Sequence, residues 1–180
     1  MALKFAFVMD PLESVHQDKD TTFVFMLESL ARAHEIFHLG LRGLFAHGHQ
    51  AFAWVRRCEV MRATPHYRFL DEGAQYPLEA FDAIFMRKDP PADAAYLFAT
   101  MLLSLADSRC TFVLNSPSGL REANEKLYAL NFPGAIPPTI VRCVETPVAA
   151  ASRRSPDPAP REIGSPENEC NGPECHAGYS

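Results

Sequence analysis

The sequence has no long apolar run and no block of basic residues. No stretch approaches the ~18 consecutive apolar residues of a membrane-spanning helix, and the apolar run Phe5–Met9 is too short for a secretory signal. The formal net charge of -5 disfavours nucleic acids and anionic membranes as partners. We therefore expect a cytoplasmic protein that binds neither nucleic acid nor membrane.

The cysteines and histidines form no recognisable disulfide framework or metal site. Cys58 and Cys110 lie in apolar surroundings that are typical of small buried residues. His47 and His49 are close in sequence, but no carboxylate or thiol stands at ligand spacing from them. Other thiols and imidazoles occur near the C-terminus, where no folded site is implied: Cys170, Cys175 and His176. We predict no metal site.

Three common catalytic motifs are absent from the sequence. No G-x-G-x-x-G follows a strand pattern, and no G-x-x-x-x-G-K-[ST] is present. No serine or cysteine occupies a G-x-S-x-G elbow. The sequence thus indicates no self-contained catalytic machinery, and we predict no catalytic residue in it.

The residues that are present divide the chain near Val141. All 13 phenylalanines precede this point, whereas residues 142–180 contain no leucine and six of the 15 prolines. Such a segment cannot bury enough apolar surface to offset the entropy lost on ordering. We predict a folded domain over residues 1–141 and a disordered tail over residues 142–180.

Strand and helix patterns alternate within residues 1–141. Apolar runs predict strands at Leu3–Met9, Glu35–Leu39, Ala83–Met86 and Thr111–Leu114. A hairpin of 51–55 with 58–62 is also predicted, with His47–His49 at or before its tip. Helices are predicted at about 21–33, 92–106, 117–121 and 124–130. The alternation indicates an α/β fold with a mainly parallel sheet.

The apolar side of each long helix is predicted from residue spacing. In the first helix, capped by Asp20 or Thr21, it consists of Phe23, Leu27, Leu30 and Ala31. In the second it consists of Ala95, Phe98, Leu102 and Leu105.

Charged residues follow the predicted strands at their carboxyl ends, where ligands bind in such sheets. That rule indicates the loops 10–20, 87–91 and 115–118. Arg87 and Lys88 leave a buried strand just before a helix start, which is typical of an anion site. Alternatively, Arg87 simply pairs with Asp10, or Asp10 caps its loop. Lys126 could contact a phosphate or be a solvated helix lysine.

Five segments, in this order, resemble the prokaryotic glutathione synthetase family: Val8–Pro11, Lys19–Phe23, Met86–Pro91, Asn115–Arg121 and Asn124–Leu127. Pro137–Val141 is similar to the segment that leads into the next domain of that family. The resemblance covers about 1–141 and implies a Rossmann-like pre-ATP-grasp domain.

The resemblance also implies an activity. The family joins γ-glutamylcysteine to glycine with ATP and Mg²⁺, through phosphorylation of the cysteinyl carboxylate. It implies that Lys126 contacts an ATP phosphate and that Arg87, Lys88 and Asp10 bind substrate. A homo-oligomer, most simply a tetramer, is implied for full-length members.

After Val141 the sequence departs from the family pattern. Residues 142–180 contain no glycine-rich lid, no second phosphate lysine and no acidic magnesium ligands. We therefore expect a truncated ligase that is inactive alone, and a shift of reading frame would produce such a tail. The alternatives are a non-catalytic module, which binds a small anion or docks on other subunits, and a non-functional product that associates through exposed apolar surface.

Overall fold

A computed structural model describes residues 1–89, 91–123 and 125–141, without the side chains of Glu125 and Lys126. Contacts within the chain separate Met1–Val141 from Arg142–Ser180. The predicted disordered tail lies outside the described residues and stays a prediction. In the described part, no helix has the length and apolar character needed to cross a bilayer.

The described residues form eight strands and four α-helices. The strands are β1 (Lys4–Val8), β2 (Glu35–Leu39), β3 (Leu44–His47), β4 (Gln50–Val60), β5 (Tyr67–Phe69), β6 (Ala74–Pro77), β7 (Ala83–Met86) and β8 (Phe112–Leu114). The helices are α1 (Thr21–Ala31), α2 (Ala94–Leu103), α3 (Pro117–Glu122) and α4 (Glu125–Tyr128). The predicted α/β class is confirmed.

The sheet has a parallel part and an antiparallel part. Its order is β3-β4-β2-β1-β7-β8, with β5 and β6 also paired to β4. β1 runs parallel to both β2 and β7, and β7 runs parallel to β8. Strand β4 runs antiparallel to β2, β3, β5 and β6. The parallel strands match the predicted ones closely, whereas the sequence analysis predicts no strand at β3, β5 or β6.

Alternating side chains of β1 and of Met9, the residue that follows it, enter two different cores. Phe7 and Met9 pack with α1 residues such as Phe23, while Ala6 and Val8 pack into the cluster that contains α2 residues. Because successive strand residues point to opposite faces, the two helices cover opposite faces of the sheet. The result is a three-layer α/β/α arrangement with β1 buried at its centre.

The predicted hairpin of 51–55 with 58–62 is wrong. β4 continues through this region as one strand, and the hairpin turn lies before it, at Gly48 and His49 between β3 and β4. Arg56 and Arg57 interrupt the apolar pattern without ending the strand. Arg57 instead forms an ion pair with Glu35 at 3.2 Å on one face, and Arg56 lies on the other.

The predicted apolar side of the second long helix is wrong for three of its four residues; Leu102 is partly buried against the core, as predicted. α2 begins at Ala94, slightly later than predicted, and is capped by Asp93. Its buried residues include Tyr96, Ala99 and Leu103, whereas Phe98 is 65% exposed; Ala95 and Leu105 are exposed as well. Spacing alone did not distinguish two apolar faces of a helix that is apolar almost all round.

In α1 the predicted face is correct in part. Phe23 is buried, and Leu27 and Leu30 are partly buried against the same cluster. Ala31 is exposed, and Met26 takes its place in the core.

Candidate functional site

The topology places a cleft between the carboxyl ends of β1 and β7. From β1 the chain crosses through α1 to β2 on one side, while β7 lies on the other side of β1 and leads through α2 to β8. Helices α1 and α2 cover opposite faces, so the two connections diverge at this point. Parallel α/β sheets bind ligands at such a point of divergence.

A pocket of about 320 Å³ occupies this cleft. We call it the Arg87 pocket. Its lining comes from the loop after β1, the start of α1 and the end of β7, and includes Met9, Asp10, Lys19, Thr22, Arg87 and Asp89. Two of the three loops predicted from the sequence therefore meet here.

Hydroxyl groups hold the side chain of Arg87. Its backbone N–H donates to the carbonyl of Val8 at 2.8 Å, which fixes the residue at the end of the sheet. Its Nε donates to Oγ1 of Thr22 at 3.1 Å, and its Nη2 donates to Oγ1 of Thr21 at 2.7 Å. Because a hydroxyl carries no net charge, these bonds orient the guanidinium without neutralising it.

The helix N-terminus beside Arg87 belongs to α1, not to the helix that follows Arg87 in sequence. Asp20 caps α1, and its Oδ1 accepts from the N–H groups of Thr22 at 2.7 Å and Phe23 at 3.1 Å. The first turn of α1 thus lies beside Arg87, with the Asp20 carboxylate bonded to two of its N–H groups. The predicted combination of arginine and helix start occurs, but with a different helix.

Asp10 forms an ion pair with Lys88, so the alternative pairing with Arg87 is wrong. Lys88 Nζ lies 3.1 Å from Oδ1 of Asp10 and donates to the carbonyl of Asp89 at 2.7 Å. The side chain of Asp10 is 38% exposed, so this ion pair stabilises the fold by only about 0.2–1 kcal/mol. Its main consequence is that Asp10, which pairs with Lys88, forms no ion pair with Arg87.

Two histidines hold the loop that follows β1. His38 Nε2 lies 3.1 Å from the carbonyl oxygen of Asp10, and His66 Nε2 lies 2.7 Å from that of Leu12. Each contact requires a protonated Nε2 that donates to the carbonyl. Burial lowers the pKa of His38, which favours its neutral form at neutral pH. The loop is therefore positioned by residues of β2 and of the segment between β4 and β5.

The other predicted site residues lie elsewhere. Lys126 belongs to α4, but its side chain lies outside the described residues. Asn115 donates to the carbonyl of Met86 at 3.2 Å, and Ser116 caps α3; neither lines the Arg87 pocket. Among described residues, His47 and His49 belong to no group of three or more metal-binding side chains.

Residue-by-residue inspection of the sequence missed the hydroxyl pair and the histidines. Thr21 and Thr22 directly follow a helix cap. Two threonines in a first helical turn that faces the carboxyl end of a strand indicate hydroxyl groups that can orient a cationic side chain. His38 and His66 gave no comparable signal, because their partners are backbone carbonyls 28 and 54 residues away in the chain.

Comparison with known proteins gives one consistent result. The family model described as "Prokaryotic glutathione synthetase, N-terminal domain" matches residues 3–121, which include Asp10, Arg87 and Lys88 but not Lys126. Glutathione synthetase of Nitrosomonas europaea is 38% identical over 146 residues, which cover 79% of this chain and 46% of that protein.

Other relatives are similar. The chain is 42% identical to glutathione synthetase of Gloeobacter violaceus over 144 residues, with 77% of this chain and 44% of that protein covered. Glutathione synthetase of Coxiella burnetii is 39% identical over 141 residues, which cover 78% of this chain and 44% of that protein. The chain thus spans less than half the length of these curated relatives.

Proposed function

Because the chain belongs to the prokaryotic glutathione synthetase N-terminal domain family, we propose that residues 1–141 form one wall of the substrate cleft of an ATP-dependent carbon–nitrogen ligase. The reaction joins γ-glutamylcysteine to glycine and converts ATP to ADP and phosphate, in the cytoplasm. The complete enzyme is a homo-oligomer, most simply a tetramer.

One observation carries this proposal: at the carboxyl edge of the sheet, an oriented guanidinium forms no ion pair with any carboxylate of the described residues. Arg87 donates hydrogen bonds to the hydroxyl groups of Thr21 and Thr22. The nearby carboxylate of Asp10 forms its ion pair with Lys88 instead. A planar guanidinium binds a carboxylate through two parallel hydrogen bonds. The geometry supports binding of an anionic substrate group at this position.

Arg87 has the role of binding and orienting the cysteinyl carboxylate. That carboxylate must receive a phosphoryl group before the glycine amine can displace phosphate and form the amide. Holding it in one orientation lowers the entropic part of the barrier. Asp10 and Lys88 border the bound substrate as an ion pair, with Asp10 facing the Arg87 pocket.

ATP and Mg²⁺ supply the phosphoryl chemistry in the complete enzyme, and the described residues do not fit a magnesium site. They contain no group of three or more carboxylates, imidazoles or thiols that could hold a metal ion. We therefore assign no step through the ion to these residues. We also propose that Lys126, whose side chain lies outside the described residues, contacts a phosphate of ATP.

We infer that the 180-residue polypeptide alone does not turn over. Phosphoryl transfer depends on cations and metal ions placed around the transferred group. The family-like segments supply five basic residues, Lys19, Arg87, Lys88, Arg121 and Lys126, but the described residues contain no group that could hold a metal ion. The polypeptide would bind substrate in its own pocket, but conversion of that substrate would depend on residues that other protein supplies.

Calorimetry with reduced γ-glutamylcysteine tests the binding role. The unmodified chain should bind the dipeptide, and Arg87→Ala should weaken binding by about tenfold, the value of a lost charge-assisted bidentate contact of ~1.4 kcal/mol. Arg87→Lys should recover only part of the loss, since an ammonium lacks the planar fork.

Arg68→Ala is the matched control. Arg68 forms an exposed ion pair with Glu59 and does not line the Arg87 pocket, so its loss should leave the affinity unchanged. Equal affinity of the Arg87→Ala and unmodified chains would refute the assigned role. Formation of glutathione by the purified polypeptide with ATP, Mg²⁺ and glycine, at a rate ordinary for an enzyme, would refute the inferred inactivity.

A second candidate function, docking on other subunits, is favoured by the exposed face of α2 and the residues just after it. Three apolar side chains of α2 and one beyond its end are exposed to solvent: Leu97, Phe98, Met101 and Leu105. Contiguous apolar surface of this kind marks association sites. Sedimentation of the purified chain should then show association that Phe98→Glu abolishes; a monomer at all concentrations would remove this candidate.

A further inference from the structure

A second pocket lies at the same edge of the sheet, beyond the end of β2. We call it the Arg56 pocket, and its volume is about 450 Å³. Its lining includes Glu13, His38, Arg42, Trp54, Arg56 and Phe69. The short turn Leu12–Ser14 separates the two pockets, since Glu13 lines this pocket and Ser14 lines the Arg87 pocket.

Arg56 is held by an aromatic ring. Its guanidinium carbon lies 3.5 Å from the centroid of the Phe69 ring, and its Nε donates to the carbonyl of Asp71 at 3.4 Å. Among the described residues, no hydrogen bond or ion pair uses its two terminal amino groups. The stacked guanidinium therefore presents its planar fork to the pocket, the geometry that accepts a carboxylate. Arg42 adds a second cation to the lining.

Glu13 places a negative charge in the same pocket. The hydroxyl of Tyr67 donates to its Oε1 at 2.7 Å, and this hydrogen bond lowers the pKa of the Glu13 carboxyl, with smaller contributions from its own backbone, His38 and Arg56. Glu13 thus stays ionised at neutral pH. Within the described residues, Glu13 and Arg56 form no ion pair with each other, so both charges remain available to a ligand.

Trp54 forms a fixed wall of the pocket. A Cβ atom added to Gly73 would lie 2.8 Å from the indole Nε1, so the indole is packed directly on the glycine backbone. Gly73 also has a φ of 105°, a conformation that few other residues adopt. Trp54 nevertheless remains 47% exposed, which leaves part of its surface for the methylene groups of a ligand.

We propose that the Arg56 pocket binds a zwitterionic α-amino-carboxylate head, with the carboxylate on Arg56 and the ammonium on Glu13. The separated opposite charges match a ligand that carries both, and the aromatic wall matches its aliphatic stem. Neither an inorganic anion nor a plain cation would satisfy both side chains.

The head belongs to the γ-glutamyl end of the dipeptide, an assignment that rests on the function proposed above. γ-Glutamylcysteine carries a free α-amino-carboxylate at one end and the reacting carboxylate at the other. Adjacent residues of one turn line the two pockets, so both ends can be held at the same edge of the sheet. The Arg56 pocket would then select the γ-linked dipeptide over an α-linked one, which lacks this head.

Fluorescence of Trp54, the single tryptophan of the sequence, provides a direct readout. L-Glutamine is the first probe, because it carries the head and a γ-amide but no second carboxylate. It should change the emission of the full chain in a saturable way. Glutaramate, which lacks the amine, and 4-aminobutanamide, which lacks the carboxylate, should each bind about tenfold more weakly.

Substitutions on the two faces of β4 supply the matched control. Arg56→Ala and Glu13→Gln should each weaken L-glutamine binding by about tenfold, and Arg56→Lys should fall between. Arg57→Ala removes the neighbouring guanidinium, which pairs with Glu35 on the opposite face, and should change nothing. Glu13 lies on an exposed turn, so Glu13→Gln keeps the test valid if Arg56→Ala fails to fold.

Failure of this inference is distinguishable from failure of the proposed function. If L-glutamine binds as described but γ-glutamylcysteine does not, the zwitterion site stands and the proposed function fails. If γ-glutamylcysteine binds with dependence on Arg87 but L-glutamine gives no saturable change and Glu13→Gln has no effect, the zwitterion site is refuted. Equal binding of L-glutamine and glutaramate would also refute it, because the ammonium would then contribute nothing.

Discussion

The Arg87 pocket and the Arg56 pocket are built around the same chemical group but differ in the carboxylate beside it. Each orients a guanidinium through partners without net charge, two hydroxyls for Arg87 and a phenyl ring with a carbonyl for Arg56. In the first pocket Asp10 is paired with Lys88. In the second, Glu13 accepts a hydrogen bond from the hydroxyl of Tyr67, a group without net charge.

This difference indicates how a protein can give two similar cations different ligand preferences. A carboxylate paired with a lysine adds little net field, so the Arg87 pocket favours a simple anion. A carboxylate bonded to a neutral phenol keeps its charge, so the Arg56 pocket favours a ligand with both signs. The neighbouring charge, and not the arginine itself, sets the ligand class.

The largest effect that separates the two pockets is expected from Asp20→Ala. The change removes the cap of α1 and should lower the free energy of unfolding by about 1 kcal/mol. Because the first turn of α1 carries the hydroxyls that hold Arg87, anion binding in the Arg87 pocket should weaken as well. L-Glutamine binding in the Arg56 pocket should not change. Thermal melts and the two binding assays measure these outcomes.

Asp93→Ala is the control for this experiment. Asp93 caps α2 through a bond of 2.9 Å from the N–H of Tyr96, so its loss should cost a similar free energy without touching Thr21 or Thr22. If both cap variants weakened anion binding equally, general destabilisation of the fold would explain the result. The hydroxyl groups of Thr21 and Thr22 would then have no specific role in anion binding.

A smaller effect is expected from neutralising each carboxylate in turn, with opposite consequences for γ-glutamylcysteine. Asp10→Asn leaves Lys88 unpaired and should strengthen binding of the dipeptide about two- to fivefold, the effect of one exposed charge pair. Glu13→Gln should weaken it, because its ammonium loses a partner. Calorimetry on both variants at one salt concentration makes the comparison. Weaker binding by Asp10→Asn would mean that Asp10 contacts the ligand ammonium directly.

The parallel half of the fold could be predicted because the residues that define each strand and its end are neighbours in the sequence. Buried parallel strands appear as short apolar runs, and residues at their carboxyl ends follow directly in sequence, as Arg87 follows β7. The topology rule then indicates the edge where ligands bind. Which helix start faces Arg87 could not be predicted, since Thr21 and Thr22 lie 66 and 65 residues away in the chain.

The antiparallel half could not be predicted in the same way. β4 changes its buried side along its length, from Ala51, Ala53 and Val55 to Cys58 and Val60. The change of side looks in sequence like a turn between two strands. The Arg56 pocket depends on this strand and on a loop from β1, so its charges meet only after long-range pairing. No local pattern contains that information.

The smallest expected effect tests whether Tyr67 keeps Glu13 charged. Tyr67→Phe removes the hydrogen bond to Oε1, so the pKa of Glu13, now lowered mainly by that bond, should rise toward its ordinary value. A carboxyl with a lowered folded pKa stabilises the fold above the pKa of its unfolded state, and this contribution is lost as the pH falls through the folded value. The variant should therefore be slightly less stable at neutral pH and lose less stability on acidification.

Carboxyl NMR of Glu13 across the acid range measures the shift directly, and L-glutamine binding provides a second readout. As the pH falls, Tyr67→Phe should lose affinity for L-glutamine at a higher pH than the unmodified chain, because protonation of Glu13 removes the partner of the ammonium. Binding in the Arg87 pocket should not follow that titration. Tyr76→Phe, in the cluster on the α2 face, should change neither property. If Glu13 titrated identically with and without the Tyr67 hydroxyl, Arg56 and His38 would maintain its charge instead. The two pockets would then differ in the cationic groups around each carboxylate and not in a neutral hydrogen-bond donor.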